Sequence, residues 1–334
     1  MPQLFAQWPL NLCQYGPEVT PGTSVAATGV WRGPFGGFED NNQQEDVEED
    51  VGTFAKTRQS FITWSGIDIP FPSAALNNLQ LPVILQASMG KVTSTGTGPY
   101  VRTYGAVTGD VDPTLQTYTL RIGNKRVAGD IQLASLALVQ EWELSGKQGE
   151  MWKISGQWTA PRRTGGAFTA NAPLPSYDPF IFAKTKLYID NSGGTWGATQ
   201  MTGVLLAASI KWKTGIEWIP VGDGNLYATA YKLGRPEINF SLTFELEQNG
   251  ANSVVATERD KYDQNVVRLI RLALTSNAGS PLELDLAGAY EKVGAYSKEG
   301  DTNTSVTFDG RGLYSPTEAK MFSVKHSSSL VTIP

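Results

Sequence analysis

One cysteine, Cys13, and one histidine, His326, occur among the 334 residues. With a single cysteine no internal disulfide is possible. A Ser-His-Asp arrangement would have to use His326, which lies in a Ser-rich tail with no nucleophile elbow near any serine. Cys13 has no histidine nearby in sequence to lower its pKa, so it reads as a structural residue. Cys/His metal spacing, a Walker loop and a dinucleotide fingerprint are all missing. Asp110 with Asp112, and the Asp223-Gly224-Asn225 run, are loosely Ca²⁺-like but lack the spaced ligands and closing Glu of an EF-hand loop. No apolar run approaches the ~18 residues of a membrane-spanning helix, so membrane insertion is not expected. The N-terminus lacks the basic and apolar regions of a signal peptide, and the chain is expected to stay in the cytoplasm where it is made. No catalytic, metal-binding or cofactor-binding residue is assigned, and no enzyme activity is expected.

Charge is also scarce, at 18% of residues, and the net charge is −5. Seven acids and no bases lie between residues 39 and 50: Glu39, Asp40, Glu45, Asp46, Glu48, Glu49 and Asp50. Without them the balance is −5 − (−7) = +2. The acidity therefore belongs to one segment on a nearly neutral body, and such a segment must stay solvated or meet something. The longest basic runs are Lys125–Arg126 and Arg162–Arg163, too short for a strong phosphate-binding patch. Glu141 with Glu143, and Glu245 with Glu247, share strand faces and read as outward, salt-bridging carboxylates rather than as a glycosidase pair.

What is present is β-strand pattern. Gly 35 and Pro 19, with many Thr and aromatics, favour a β-rich class, and the length suits two cores. Leu206, Ala208, Ile210, Trp212, Ile216 and Trp218 alternate with polar residues, and Ile238, Phe240, Leu242, Phe244 and Leu246 resume the alternation. Alternate side chains of a strand share a face, so each stretch lays one apolar face on a core. Trp142, Trp158, Trp212 and Trp218 fall on apolar parity and are expected in the core.

The chain then divides into matching halves. The first reads strand (Ser24–Trp31), long loop (33–52), strand (54–71), helix (73–89), and strands at 117–123, 131–144 and 150–160. The second reads strand (204–219), long loop (220–236), strand (237–248), helix (258–276), and strands at 282–288, 303–314 and 320–333. Ser73 would cap the first helix, with Pro82 kinking it or starting a shorter one. Thr257 would cap the second and Gly279 end it, with Tyr262, Val266, Leu269, Ile270, Ala273 and Leu274 on one face. A parity change near Ala134–Ser135 predicts a bulge.

The expected fold is mainly β, two tandem β-sandwich or barrel units, each with one α-helix and a long loop between its first two strands. The expected domains are an irregular N-terminal extension (1–22), a first unit (23–163), a linker (164–185) and a second unit (186–334). Both long loops exceed what a hairpin needs, and a loop that recurs is a functional clue. Trp8, Trp31 and Trp196, in or near loops, are candidate interface anchors or sugar-stacking platforms.

The phrases GDIQLASLALVQEWELSG and LYIDNSGGTWGATQMTGVLLAASIKWKTGIEWIPVGDG resemble the tail tube, or major tail, proteins of long-tailed, non-contractile bacteriophages. The likeness spans roughly residues 50–330. It implies β-sandwich units assembled into rings that stack into a hollow tube, with two-unit members forming trimeric rings. By that resemblance the chain's partners are itself, the tape-measure protein and tail-end proteins, with viral double-stranded DNA passing non-specifically. Its place is the virion tail, after synthesis in the host bacterial cytoplasm. The long loops would reach the next ring, and edge strands would join neighbours. Glu39, Asp40, Glu45, Asp46, Glu48, Glu49 and Asp50, with Asp223, Lys232 and Arg235 of the second loop, are the inter-ring or lumen candidates. The acidic loop could repel phosphate in the bore, pair with basic residues of the next ring, or merely be solvated. The second loop is not acidic, which favours the ring-to-ring role. Deleting residues 39–50 is expected to leave a folded protein that forms no tubes. Two other classes stand beside this reading: a two-domain carbohydrate-binding or adhesion module, and an enzyme on a β scaffold.

Overall fold

The structure, a computed structural model, describes residues 10–48, 57–105, 113–247, 253–299 and 303–334. In the first half the strands are β1 (Asn11–Pro17), β2 (Gly29–Val30), β3 (Glu39–Asp40), β4 (Gln43–Glu48), β5 (Thr57–Trp64) and β6 (Ile67–Ala75). Helix α1 (Leu81–Met89) follows, then β7 (Tyr100–Gly105), β8 (Tyr118–Asn124), β9 (Gln132–Lys147), β10 (Lys153–Ala160) and β11 (Arg163–Gly165). The second half holds β12 (Lys186–Asn191), β13 (Gln200–Met201), β14 (Leu205–Lys213), β15 (Ile216–Ile219), β16 (Ala230–Leu233) and β17 (Glu237–Glu245). It continues with helix α2 (Val254–Asp263), β18 (Arg268–Thr275), β19 (Pro281–Val293), β20 (Ser297–Glu299), β21 (Asn303–Gly312) and β22 (Phe322–Ser328). The fold is mainly β and antiparallel, as the alternation predicts.

Four expectations about elements change. Residues 11–17 are not irregular: β1 pairs along its whole length with β8 and buries Cys13 and Tyr15. The first helix starts at Leu81, not Ser73, with Pro82 in its first turn, where proline's missing N–H costs nothing. Residues 73–75 instead finish β6. The second helix spans only residues 254–263, capped by Ser253 Oγ accepting from Ala256 N at 3.0 Å. Asn265, at φ 50°, breaks the chain away, and residues 268–275 form strand β18. Both long loops are hairpins: β4 pairs with β5, and β15 with β16.

The expected bulge is present. Leu136 has a left-handed φ of 58°, and the β8–β9 register shifts between Tyr118 and Leu120. Glu18, itself buried, holds this kink. One of its carboxylate oxygens accepts from Leu136 N (2.9 Å) and Thr119 Oγ1 (2.9 Å), and the other from Gly22 N (2.8 Å).

The pairing order of the first half is β1, β8, β9, β10, β6, β3. In the second it is β12, β18, β19, β21, β17, β14. Each helix follows the hairpin's second body strand, β6 or β17, in sequence. The halves join where β14 pairs with β9, from Ala207↔Lys147 to Lys213↔Glu141. They join again where β7, from the first half, pairs with β22 at the C-terminal end. Residues 164–185 run along the first half: Val30 N donates to Pro173 O and Trp152 N to Phe180 O, both at 2.9 Å.

Among the described residues the interior is one large continuous apolar cluster with a small satellite, not two separate cores. At the β9–β14 seam Trp142 and Trp212 stand opposite each other, stacked at 6.5 Å, with Phe322 tilted against both. Trp142 Nε1 donates to Ser88 Oγ on α1 at 3.0 Å, so the indole is satisfied while fully buried. Trp158 is buried in the first half, and Trp218 is half-buried in the satellite cluster beside Ile216. His326 is fully buried as well. Its Nε2 donates to Asn78 O (3.0 Å) and Oδ1 (2.8 Å), and desolvation beside Arg102 lowers its pKa to about 4. Burial pushes the Cys13 thiol up, which leaves it protonated and inert.

Candidate assembly interface

Two hairpins leave the sheet, one from each half. The first, β4–β5, continues β3 and β6 past Asn41–Asn42 and Ser65–Gly66. The second, β15–β16, continues β14 and β17 past Thr214–Gly215 and Gly234–Pro236. Gly215 makes the second departure at φ 75°, and a Cβ there would meet Arg235 O at 3.0 Å. Among the described residues each arm forms a two-stranded sheet of its own. An isolated two-stranded ribbon is marginal in water unless a face is covered.

The arms differ in how they are covered. The second packs back on the body. Ile216 joins Leu115 and Leu138, Trp218 Nε1 donates to Thr159 Oγ1 at 2.8 Å, and Trp218 meets Tyr231 edge-on at 5.9 Å. Its outer turn is self-contained: Asp223 accepts from Asn225 N (3.1 Å) and Thr229 Oγ1 (3.0 Å), and these bonds hold its pKa below the usual value. Lys232 pairs across the ribbon with Glu217 at 2.6 Å, while Arg235 is exposed without a carboxylate partner among the described residues.

The first arm is bare. Phe61 and Ile62, adjacent on β5 and therefore on opposite faces, are 55% and 43% exposed. Opposite Phe61 stands Glu45, and Asp46 follows at Ser60; both acids are exposed. Among the described residues this polar ribbon thus leaves one large apolar side chain exposed on each face, with acids beside them. The two arms touch at one point, where Ser65 N donates to Leu226 O at 2.7 Å beside a Ser65–Tyr227 bridge. Arg162 lies over the Tyr227 ring at 4.1 Å.

The acidic stretch is thus divided. Glu39 and Asp40 belong to β3 on the body, whereas Glu45 and Asp46 lie on the arm. Glu48 lies at the end of β4, and Glu49 and Asp50 lie outside the described residues. Asp40 pairs with Arg163 at 2.6 Å; Glu39 is exposed without an ion pair among the described residues.

Of the three candidate anchors, Trp8 lies outside the described residues. Trp31 is a core residue, 6% exposed, packed against Tyr15, Phe35, Phe71 and Trp158; a strand hidden by its own sheet offers no surface anchor. Trp196 is half-buried and held within the chain, with Nε1 donating to Glu318 Oε2 at 2.7 Å and Lys320 Nζ 4.4 Å over its ring. Reading residues by sequence missed that Phe61 and Ile62 stand exposed. Their only signal is two adjacent large apolar side chains within a polar run, which alternation counts as a flaw.

A sheet of this size with open edges and two projecting ribbons is a building block for assembly. A family model described as phage tail tube protein matches residues 12–312, which is most of the chain. The chain belongs to the phage tail tube protein family, and it is a structural component of the bacteriophage virion tail. No curated protein matches it.

Proposed function

We propose that the chain is the ring subunit of a hollow tail tube through which viral double-stranded DNA passes. Three chains make a ring, each contributing two β-sandwich units, 23–163 and 186–334, joined by 164–185. Rings stack through the arms. The first arm's uncovered Phe61 and Ile62, rimmed by Glu45 and Asp46, are the single observation that carries stacking. A ribbon that stays bare in one chain gains its cover from the next, with Lys232 and Arg235 of the second arm as candidate partners for its acids. The tape-measure protein fills the bore before DNA, and tail-end proteins close it. The chain is made in the host cytoplasm and performs no catalysis. The shortness of its basic runs supports passage without sticking, because phosphate contacts accumulate affinity steeply.

The glycan-binding reading loses ground, since Trp31 is in the core and Trp196 lies beneath Lys320. Electron microscopy of the purified protein, with sedimentation velocity, tests the proposal. Rings or tubes are expected. Replacing residues 43–63 by an Asn-Gly turn should leave folded rings that do not stack. Tubes of normal length from that variant would refute the stacking role of the arm.

A further inference from the structure

The two pairing orders match, yet one position is filled in the first half and empty in the second. Along residues 141–145, β9 carries β10 on one side and β14 on the other. Its counterpart β19 carries β21 along residues 289–293, and among the described residues no strand pairs with the other side. Conversely, β14 is paired on both sides, by β17 and β9, while among the described residues its counterpart β3 is paired only by β6. One chain therefore holds one open acceptor edge and one open donor edge of the same seam.

The register between the halves is fixed by two landmarks. Both long strands have a one-residue bulge against their partner, at Gln140 in β9 and at Glu291 in β19. Glu141, Trp142 and Glu143 thus correspond to Lys292, Val293 and Gly294. On the donor side, Glu39 faces Asp68 as Lys211 faces Asn239, and Asp68 and Asn239 in turn face Thr159 and Arg311, equivalent positions of β10 and β21. Glu39, Asp40 and Asn41 therefore correspond to Lys211, Trp212 and Lys213.

The charges follow the same map with their signs exchanged. In the filled seam Lys211 stands opposite Glu143 and its Nζ reaches Glu141 at 3.0 Å. At the open edges the acid, Glu39, is on the donor strand and the base, Lys292, on the acceptor. Both are exposed and neither has an ion pair among the described residues. Complementarity is preserved between the open edges. It is lost in the wrong combinations, where β3 would set Glu39 against Glu141, and β14 would set Lys211 against Lys292. Unlike signs admit one partner and like signs reject the other.

We propose that the open edge of β19, residues 289–293, with the Gly294 that follows it, pairs antiparallel with β3 of a second copy of this chain. Asp40 stands opposite Val293, Glu39 opposite Gly294, and Glu39 reaches Lys292 across the seam. The contact is heterologous, so each chain gives one edge and accepts one, and closure makes a ring. An edge strand left unpaired is a site of uncontrolled association, and this pairing removes two of them. The proposal rests on the tube reading above and adds the surface by which one ring closes.

The test is a disulfide. Asp40→Cys with Val293→Cys in one chain, oxidised mildly after assembly, should give reducible multimers on denaturing gels that stop at the ring number. Each single variant should remain a monomer on the gel, because Cys13 is buried and its thiol is held protonated. A displaced control, Glu45→Cys with Val293→Cys, should not cross-link. Adding Lys292→Glu to the first pair should lower the cross-linked yield roughly fivefold or more at low salt, and Glu39→Lys should restore it. Tubes or rings by microscopy without the Asp40–Val293 cross-link would overturn the seam and leave the tube reading standing. A wild-type chain that never assembles would overturn both.

Discussion

Glu258 offers the sharpest test of how the second half is held together. It sits on α2 with no exposed surface, and its two carboxylate oxygens accept from Arg268 Nε (3.0 Å), Arg268 Nη2 (2.8 Å) and the Tyr290 hydroxyl (2.9 Å). Arg268, on β18, is itself buried, and Tyr290 lies on β19. The trio binds one helix to two strands. Replacing Glu258 by Ala leaves a buried guanidinium without its counter-charge and a buried phenol without its acceptor. Losing one partner of such a pair costs about 3–5 kcal/mol. At about 2.1 cal/mol/K of unfolding entropy per residue, ~4 kcal/mol over this chain lowers the melting temperature by about 6 °C. Urea titration followed by tryptophan fluorescence should show the loss. The double replacement Glu258→Met with Arg268→Met removes both charges together and should recover most of it, because well-packed apolar residues often match a buried pair. A loss below ~1 kcal/mol in the single variant, or a double variant as unstable as the single, would refute the reasoning. Tyr290 lies beside the open edge of β19, so the single variant should also assemble poorly under conditions where it remains folded.

Three further outcomes follow, from two buried groups and one partly exposed pair. His326, with its pKa lowered to about 4 from 6.5, stays neutral in the fold while the unfolded chain takes up a proton below pH 6.5. Its contribution is therefore intact above pH 6.5 and is lost between about pH 6.5 and 4, ~3.5 kcal/mol in all at about 1.4 kcal/mol per pH unit. Urea midpoints measured from pH 7 to 4.5 should fall more steeply for the wild type than for His326→Gln. At the seam between halves, Trp142→Ala should cost about 3–5 kcal/mol, since it removes the stack on Trp212 and leaves Ser88 without its donor. Lys211→Ala should cost no more than about 1 kcal/mol, because its pair with Glu141 is about one-third exposed. Equal losses for the two would mean that charge, not packing, secures the seam.

The β class, the bulge and most strands were legible because alternation survives wherever a strand covers one core face, as along Ile238–Phe244. The reading of residues 258–276 as one helix went wrong because two periods overlap there. Tyr262, Val266, Leu269 and Ile270 fit a helical face, yet Ile270, Leu272 and Leu274 alternate and are all buried in β18. Asn265 was the available signal, since a left-handed residue after a short helix ends it. The irregular reading of residues 11–17 failed for another reason. β1 is buried under its neighbours and holds Cys13, Gln14, Tyr15 and Gly16, a polar-apolar mixture that only its place in the sheet explains. Trp31 was read as a surface anchor because it ends a strand next to a glycine-rich loop, yet its backbone N bonds Cys13 O within the sheet and its side chain is buried.

The acidic stretch posed a choice between bore, neighbouring ring and solvent, and the choice assumed one loop with one environment. Asn41 and Asn42 divide it. Glu39 and Asp40 are fixed on the body by pairing with Asp68 and Ile67, whereas Glu45 and Asp46 ride on a ribbon whose strands, among the described residues, pair only with each other. The first pair faces whatever meets the edge of β3, and the second whatever covers Phe61 and Ile62. A deletion of residues 39–50 would remove both surfaces together, and a failure to form tubes would not say which was needed. Removing 43–63 alone spares β3, and Glu39→Lys alone spares the arm. If the first abolishes stacking while rings persist, and the second abolishes rings, the acids serve two contacts at right angles to one another in the assembly. If both variants lose only stacking, β3 faces the next ring rather than its neighbour in the same one, and the register proposed for the β3–β19 seam is wrong.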